Sequence, residues 1–238
     1  MIIPTTGIVF LLGAFVYLYL SRRFWNCYKA ENIEIAKFFS YAFFSIGLYN
    51  LIAAIPCLLL TENPLVWRIF VPIYVFFLVA GWLLLGYAVL AKIRFPKYSR
   101  ILIIIFSLII ISSTLSTAAL SPPRYFFVEP GSLDWEVKLE LGIAVLLMGS
   151  LIFVPSAIIM FQEMKKSKDK RAKIRSFGFG LAFLWLIMEQ FSDFFIATIF
   201  ELHPIYSESI HLITLLILAI TLIKTWGPPP PTWVKRVE

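Results

Sequence analysis

The chain is poor in charge, in histidine and in cysteine. Only 15% of its 238 residues are Asp, Glu, Lys or Arg and 60% are hydrophobic, whereas a soluble domain carries about 25% charged and roughly 45–50% apolar residues. No water-soluble fold of this size hides that much apolar surface. Two histidines, His203 and His211, both beside or within the last apolar run, exclude paired axial ligands for a transmembrane haem and an HExxH zinc helix. Two cysteines, Cys27 and Cys57, lie too far apart for a metal-ligand spacing and are too few for a disulfide framework. There is no GxSxG elbow, no phosphate-binding glycine loop and no CxxC pair. The last apolar run has a lysine, Lys224, only in its final turn, not at the middle where a retinal Schiff base would need it. The expectation is a non-enzyme with no catalytic residue, no metal and no cofactor.

What the chain does have is long apolar runs. Matched to a hydrocarbon layer about 30 Å thick, they place spans near residues 3–20, 36–60, 68–91, 101–120, 139–161, 177–200 and 207–226. The fold expected is an all-α bundle of seven transmembrane helices over residues 1–226, followed by a short Pro-rich tail at 227–238. The first run follows Met1 directly, with Arg22 and Arg23 after it, the reverse of a cleavable signal, so it reads as a retained helix with its N-terminus translocated. Pro56, Pro72 and Pro155 fall inside spans and should kink them. The connection from Ser121 to Lys138 contains three prolines and a glycine and should be irregular, a lid over the outer mouth.

Orientation follows from where Lys and Arg fall between spans. Segments 21–37, 91–100 and 162–175, with the end of the chain, hold eighteen of the 21 basic residues, leaving Arg68, Arg124 and Lys138 for the opposite side. A wrong span count would scramble that segregation. The formal charge of +7 is therefore a topology signal and not a nucleic-acid footprint, and it sets the N-terminus outside and the C-terminus in the cytoplasm.

Against this background the sixth span stands out. Trp185, Glu189 and Asp193 recur every fourth residue and so share one helix face, with Gln190 and Ser192 beside them. An acid at mid-bilayer costs roughly 2.5–3.5 kcal/mol to insert, so such residues face the bundle interior and mark a site. From Arg175, Glu189 lies about 20 Å along the helix at 1.5 Å per residue. At comparable depth stand His211 on the seventh span, Arg68 at the start of the third, and Tyr49 with Asn50 on the second. These residues are expected to converge on an outward-facing polar pocket in which Arg68 or His211 pairs with Glu189 or Asp193. A purely structural interhelical network would use the same groups. Lys165, Lys166, Lys170, Arg171 and Arg175 are the candidate contacts for anionic lipid headgroups or a cytoplasmic protein partner.

Three segments carry a resemblance: FFLVAGWLLLGYAVL running into AKIRFPKYSR, the long exterior connection after the fourth span, and KKSKDKRAKIRSFGFG leading into the sixth. The arrangement resembles the seven-helix N-terminal sensor region of bacterial membrane histidine kinases and diguanylate cyclases, without their output domain. The resemblance implies a multi-pass protein of a prokaryotic plasma membrane, a sensor or receptor-like module that signals through a cytoplasmic or membrane protein partner. A small proton-coupled transporter, or a structural subunit of a larger membrane complex, remains open beside it.

Overall fold

A computed structural model describes residues 4–59, 62–90, 93, 96–119, 125–128, 132–135, 139–193 and 203–226. Within them the chain forms seven long helices: α1 (Thr5–Glu31), α2 (Glu34–Leu58), α3 (Pro64–Val89), α4 (Ser99–Ala119), α5 (Leu139–Lys166), α6 (Lys170–Asp193) and α7 (Pro204–Thr225). Each overlaps one of the seven apolar windows. The tail at 227–238 and the last part of the sixth window, 194–200, lie outside the described residues.

Two expectations are corrected. Among the described residues, most of the basic segments 21–37 and 162–175 continue the helices beside them. α1 runs eleven residues past its apolar window, through Arg22, Arg23 and Lys29, so that only Asn32 and Ile33 separate it from α2. Hydropathy marks where the apolar stretch stops, whereas backbone hydrogen bonds let the helix continue into water. The connection expected to be irregular contains an antiparallel hairpin, β1 (Tyr125–Val128) with β2 (Ser132–Trp135), in which Val128 pairs with Ser132.

Local chemistry explains the boundaries. Asn32 ends α1 in the left-handed region, with φ of 52°, a conformation asparagine tolerates, and its N–H bonds to the Tyr28 carbonyl. Asn63 caps α3, its side chain accepting from Leu65 N at 3.0 Å with Pro64 at the first helical position. At α7, His203 and Pro204 play the same parts. Asp169 caps α6, accepting from Ala172 N at 2.9 Å and Arg171 N at 3.2 Å.

The helices pack in a closed order, α1 on α2, α2 on α3, α3 on α5, α5 on α6, α6 on α7 and α7 back on α1, while α4 lies against α3 at the periphery. Small residues let backbones approach. A Cβ at Gly7 would stand 2.7 Å from Leu58 N across the α1–α2 contact, which no side-chain rotation relieves. The interior is aromatic. Phe179 of α6 stacks on Phe39 of α2 at 3.9 Å between ring centroids and lies 5.4 Å from Phe24 of α1 and 5.1 Å from Trp226.

The outside is also apolar. Phe15 on α1, Leu108 on α4 and Leu151 on α5 are 65%, 61% and 73% exposed, and every other helix shows similar side chains outward. Water-soluble monomers do not expose apolar surface on this scale. Five of the helices, α1, α2, α3, the stretch Leu146–Lys166 of α5, and α7, are long and apolar enough to cross a membrane. The molecule is an all-α bundle of the kind membranes hold.

The α6 cap yields a prediction. The backbone N–H groups of Ala172 and Arg171 hold the exposed Asp169 carboxyl below the usual carboxylate range. Its contribution is present above the unfolded value of about 3.9 and is lost as pH falls through the lower folded value. Hydrogen exchange in the first turn of α6 should rise on acidification through that range. Asp169→Ser, which caps without a charge, should show no such acid step.

Candidate functional site

Within the bundle an ion pair joins α6 and α7, nearer the end where α7 begins. His211 Nδ1 of α7 meets Glu189 Oε1 of α6, with side chains only 18% and 13% exposed. The seven-residue run from Pro204 puts His211 about two turns into α7. Glu189 lies on the α6 face opposite the outward Leu184 and Met188, which turn toward the surroundings. In apolar surroundings a buried polar side chain is costly unless it has a polar partner, and here each of the two has the other.

Tyr17 of α1, 3% exposed, lies within electrostatic reach of Glu189 and of Tyr49 on α2. Tyr49 meets Phe10 of α1 and Tyr74 of α3 edge-on, at 5.8 and 5.7 Å. Tyr49, Tyr17, Glu189 and His211 stand on α2, α1, α6 and α7. Tyr17 carries no mark in the sequence, where a single tyrosine in an apolar helix reads as filler.

The other expected members are placed differently. Asn50 is fully buried, donates from Nδ2 to the Ile46 carbonyl at 2.9 Å, and turns Oδ1 toward Gly13 of α1. Gln190 packs against Gly149 of α5, where any larger residue would collide with it. Among the described residues, both side-chain oxygens are buried without a hydrogen-bond partner. Trp185 is partly buried one turn below Glu189. Arg68, expected as a partner for the acids, is exposed in the second turn of α3, and Glu189 takes His211 instead. Asp193 ends α6, and its side chain lies outside the described residues.

Both ends of the α6–α7 unit are tied to α1. At the end where α1 and α7 begin, the Glu208 carboxylate accepts from the Thr6 hydroxyl and, at 3.1 Å, from Ser132 of β2, whose hydroxyl also meets Thr5 at 3.0 Å. The hairpin is thus pinned over α1 and α7. At the opposite, basic end Glu31 of α1 receives Arg175 of α6 in a two-pronged pair at 2.5 and 2.7 Å, with Arg171 at 3.7 Å. The Arg175 guanidinium lies 4.6 Å from the ring centre of buried Trp226, just past α7. Arg23 of α1 donates to the carbonyls of Trp226 and Ile223, closing the negative end of α7 with a cation.

This corrects the reading of the basic segment. Lys165, Lys166, Lys170 and Arg171 are exposed, but Arg175 is only 8% exposed and turned inward on Glu31. It is a brace between helices and not a surface contact. Glu31 sits 144 positions earlier in the chain, which is why no local pattern signals the pairing.

Among the described residues, no three His, Cys, Asp or Glu side chains group as a metal site. The arrangement brings a carboxylate and an imidazole together between α6 and α7.

A double-mutant cycle in detergent measures the pair. Glu189→Leu and His211→Leu should each lower thermal stability, and the double substitution should cost less than their sum by on the order of 1 kcal/mol, the size found for polar pairs in membranes. Strict additivity would show that the two side chains do not act as a unit.

No family model, no curated protein and no solved structure matches this chain.

Proposed function

We propose that the chain is a seven-span integral protein of a prokaryotic plasma membrane, with its N-terminus outside, that acts as a proton- or ligand-responsive sensor. The Glu189–His211 pair is the input, and the brace of Glu31, Arg175 and Trp226 is the output.

The observation that carries this reading is the Glu189–His211 pair itself. A histidine is the side chain whose charge changes between about pH 5 and 8, and here it meets the Glu189 carboxylate between α6 and α7. Removing either charge removes the attraction that fixes those two helices at that depth. Both helices are also braced to α1 at the basic end, so a shift at the pair bears on Arg175 and Trp226. The basic helix ends of α1, α2, α5, α6 and α7 gather at one end of the bundle, which supports a cytoplasmic location for that end. α6, although charged at its start and interrupted by Glu189, is long enough to cross when its acid is paired, which supports the seventh crossing.

The test uses purified protein in lipid nanodiscs. Thermal stability of the wild type should change across about pH 5 to 8, and Glu189→Gln and His211→Phe should each flatten that profile. A wild-type profile that is flat over the range and unmoved by a ligand panel would overturn the sensor reading. Glu189-dependent substrate flux in sealed vesicles would replace it with a carrier.

A further inference from the structure

We propose that the α5–α6 turn and the adjoining α1–α2 turn form a binding surface for the phosphate headgroups of anionic phospholipids. The inference rests on the membrane-spanning reading above.

Three observations converge. The first is uncompensated charge. Six basic residues fall between positions 165 and 173, all exposed. Of the acids nearby, Glu163 pairs with Lys166 at 3.1 Å, Asp169 caps the α6 backbone, Glu31 takes Arg175 with Arg171 at 3.7 Å, and Glu34 begins α2, so the two turns keep an excess of positive charge. The second is shape. Only three residues, 167–169, separate α5 from α6, and only two separate α1 from α2. Neither turn projects a knob that a protein partner would grip. Both are short, and Glu31 links them through Arg171 and Arg175.

The third is depth. Lys29 sits over the Trp25 ring at 5.6 Å, and Lys37 sits between Tyr28 at 5.6 Å and Tyr41 at 5.9 Å. Aromatic rings of this kind settle at the headgroup level, with lysines reaching past them to the phosphates. On α6 the exposed Ile174 and Phe177 directly follow the basic run, so apolar surface for acyl chains begins where the cations end. Charge against headgroup and apolar side chain against tail fit an anionic phospholipid. They fit a free phosphate or a protein acid less well, since neither of those has a tail.

The experiment incorporates the full chain into mixed micelles with equal parts of phosphatidylcholine and phosphatidylglycerol. The lipids that stay bound after delipidation are then read by native mass spectrometry. Extraction comes first: a protein recovered in the aqueous phase without detergent would defeat the membrane reading before any lipid comparison. Phosphatidylglycerol should be enriched several-fold over phosphatidylcholine, and raised salt should reduce that enrichment. Lys165→Gln/Lys166→Gln/Lys168→Gln/Lys170→Gln, which leaves the Glu31–Arg175 brace intact, should lose most of it. The matching Lys→Arg set should keep it. Inorganic phosphate that displaces the lipid completely at matched concentration would place the affinity in the anion alone and overturn the headgroup-and-tail fit. Equal retention of both lipids by the wild type, or enrichment unchanged in the Gln set, would overturn the proposal and leave an acidic protein surface as the better match.

Discussion

The ion pair between Glu189 and His211 is the constraint around which the rest of the bundle is arranged. Without it α6 carries an acid in apolar surroundings that no neighbouring apolar side chain can accommodate. With it α6 and α7 become a unit, and the places where that unit touches α1 acquire meaning. Glu208 ties α7 to Thr6 and the hairpin at one end, while Arg175 and Arg23 tie α6 and the end of α7 to α1 at the other. At the basic end Phe24, Phe179 and Trp226 pack against one another beside these ties.

Glycines sit where α1 crosses α2 and where α2 meets α3, and there an added Cβ would meet backbone, Leu58 N at 2.7 Å from Gly7 and Ala42 O at 3.2 Å from Gly81. At the α6–α7 contact Gly178 faces the Thr225 side chain.

Much of the architecture was legible beforehand because hydropathy and charge are local. Seven apolar windows correspond to seven helices, and Glu189 announced itself by its cost. Helix ends were less legible, since Lys29 and Arg175 look like loop residues to any count of charge yet continue regular helices. Partners were hardest. Glu31 and Arg175, or Thr6 and Glu208, are brought together only by the closing of α7 on α1, which no short pattern encodes. Arg68 illustrates the converse: its position suited a partner for the acids, but the helix face on which it falls turns outward. Tyr17 was passed over because its role depends on α6 lying beside α1.

The central claim is that the charge state of this pair sets the relation between α6 and α7 at the basic end. The direct measurement places spin labels at the exposed Lys173 and Lys224, in a Cys27→Ala/Cys57→Ala background, and follows their separation in nanodiscs by pulsed dipolar spectroscopy. The distance distribution should shift by on the order of 1–2 Å or more, the scale of helix shifts in switching proteins, between about pH 8 and 5. It should stop shifting when Glu189 is replaced by Gln. An unchanged distribution in the wild type, or a shift that survives Glu189→Gln, would contradict the account.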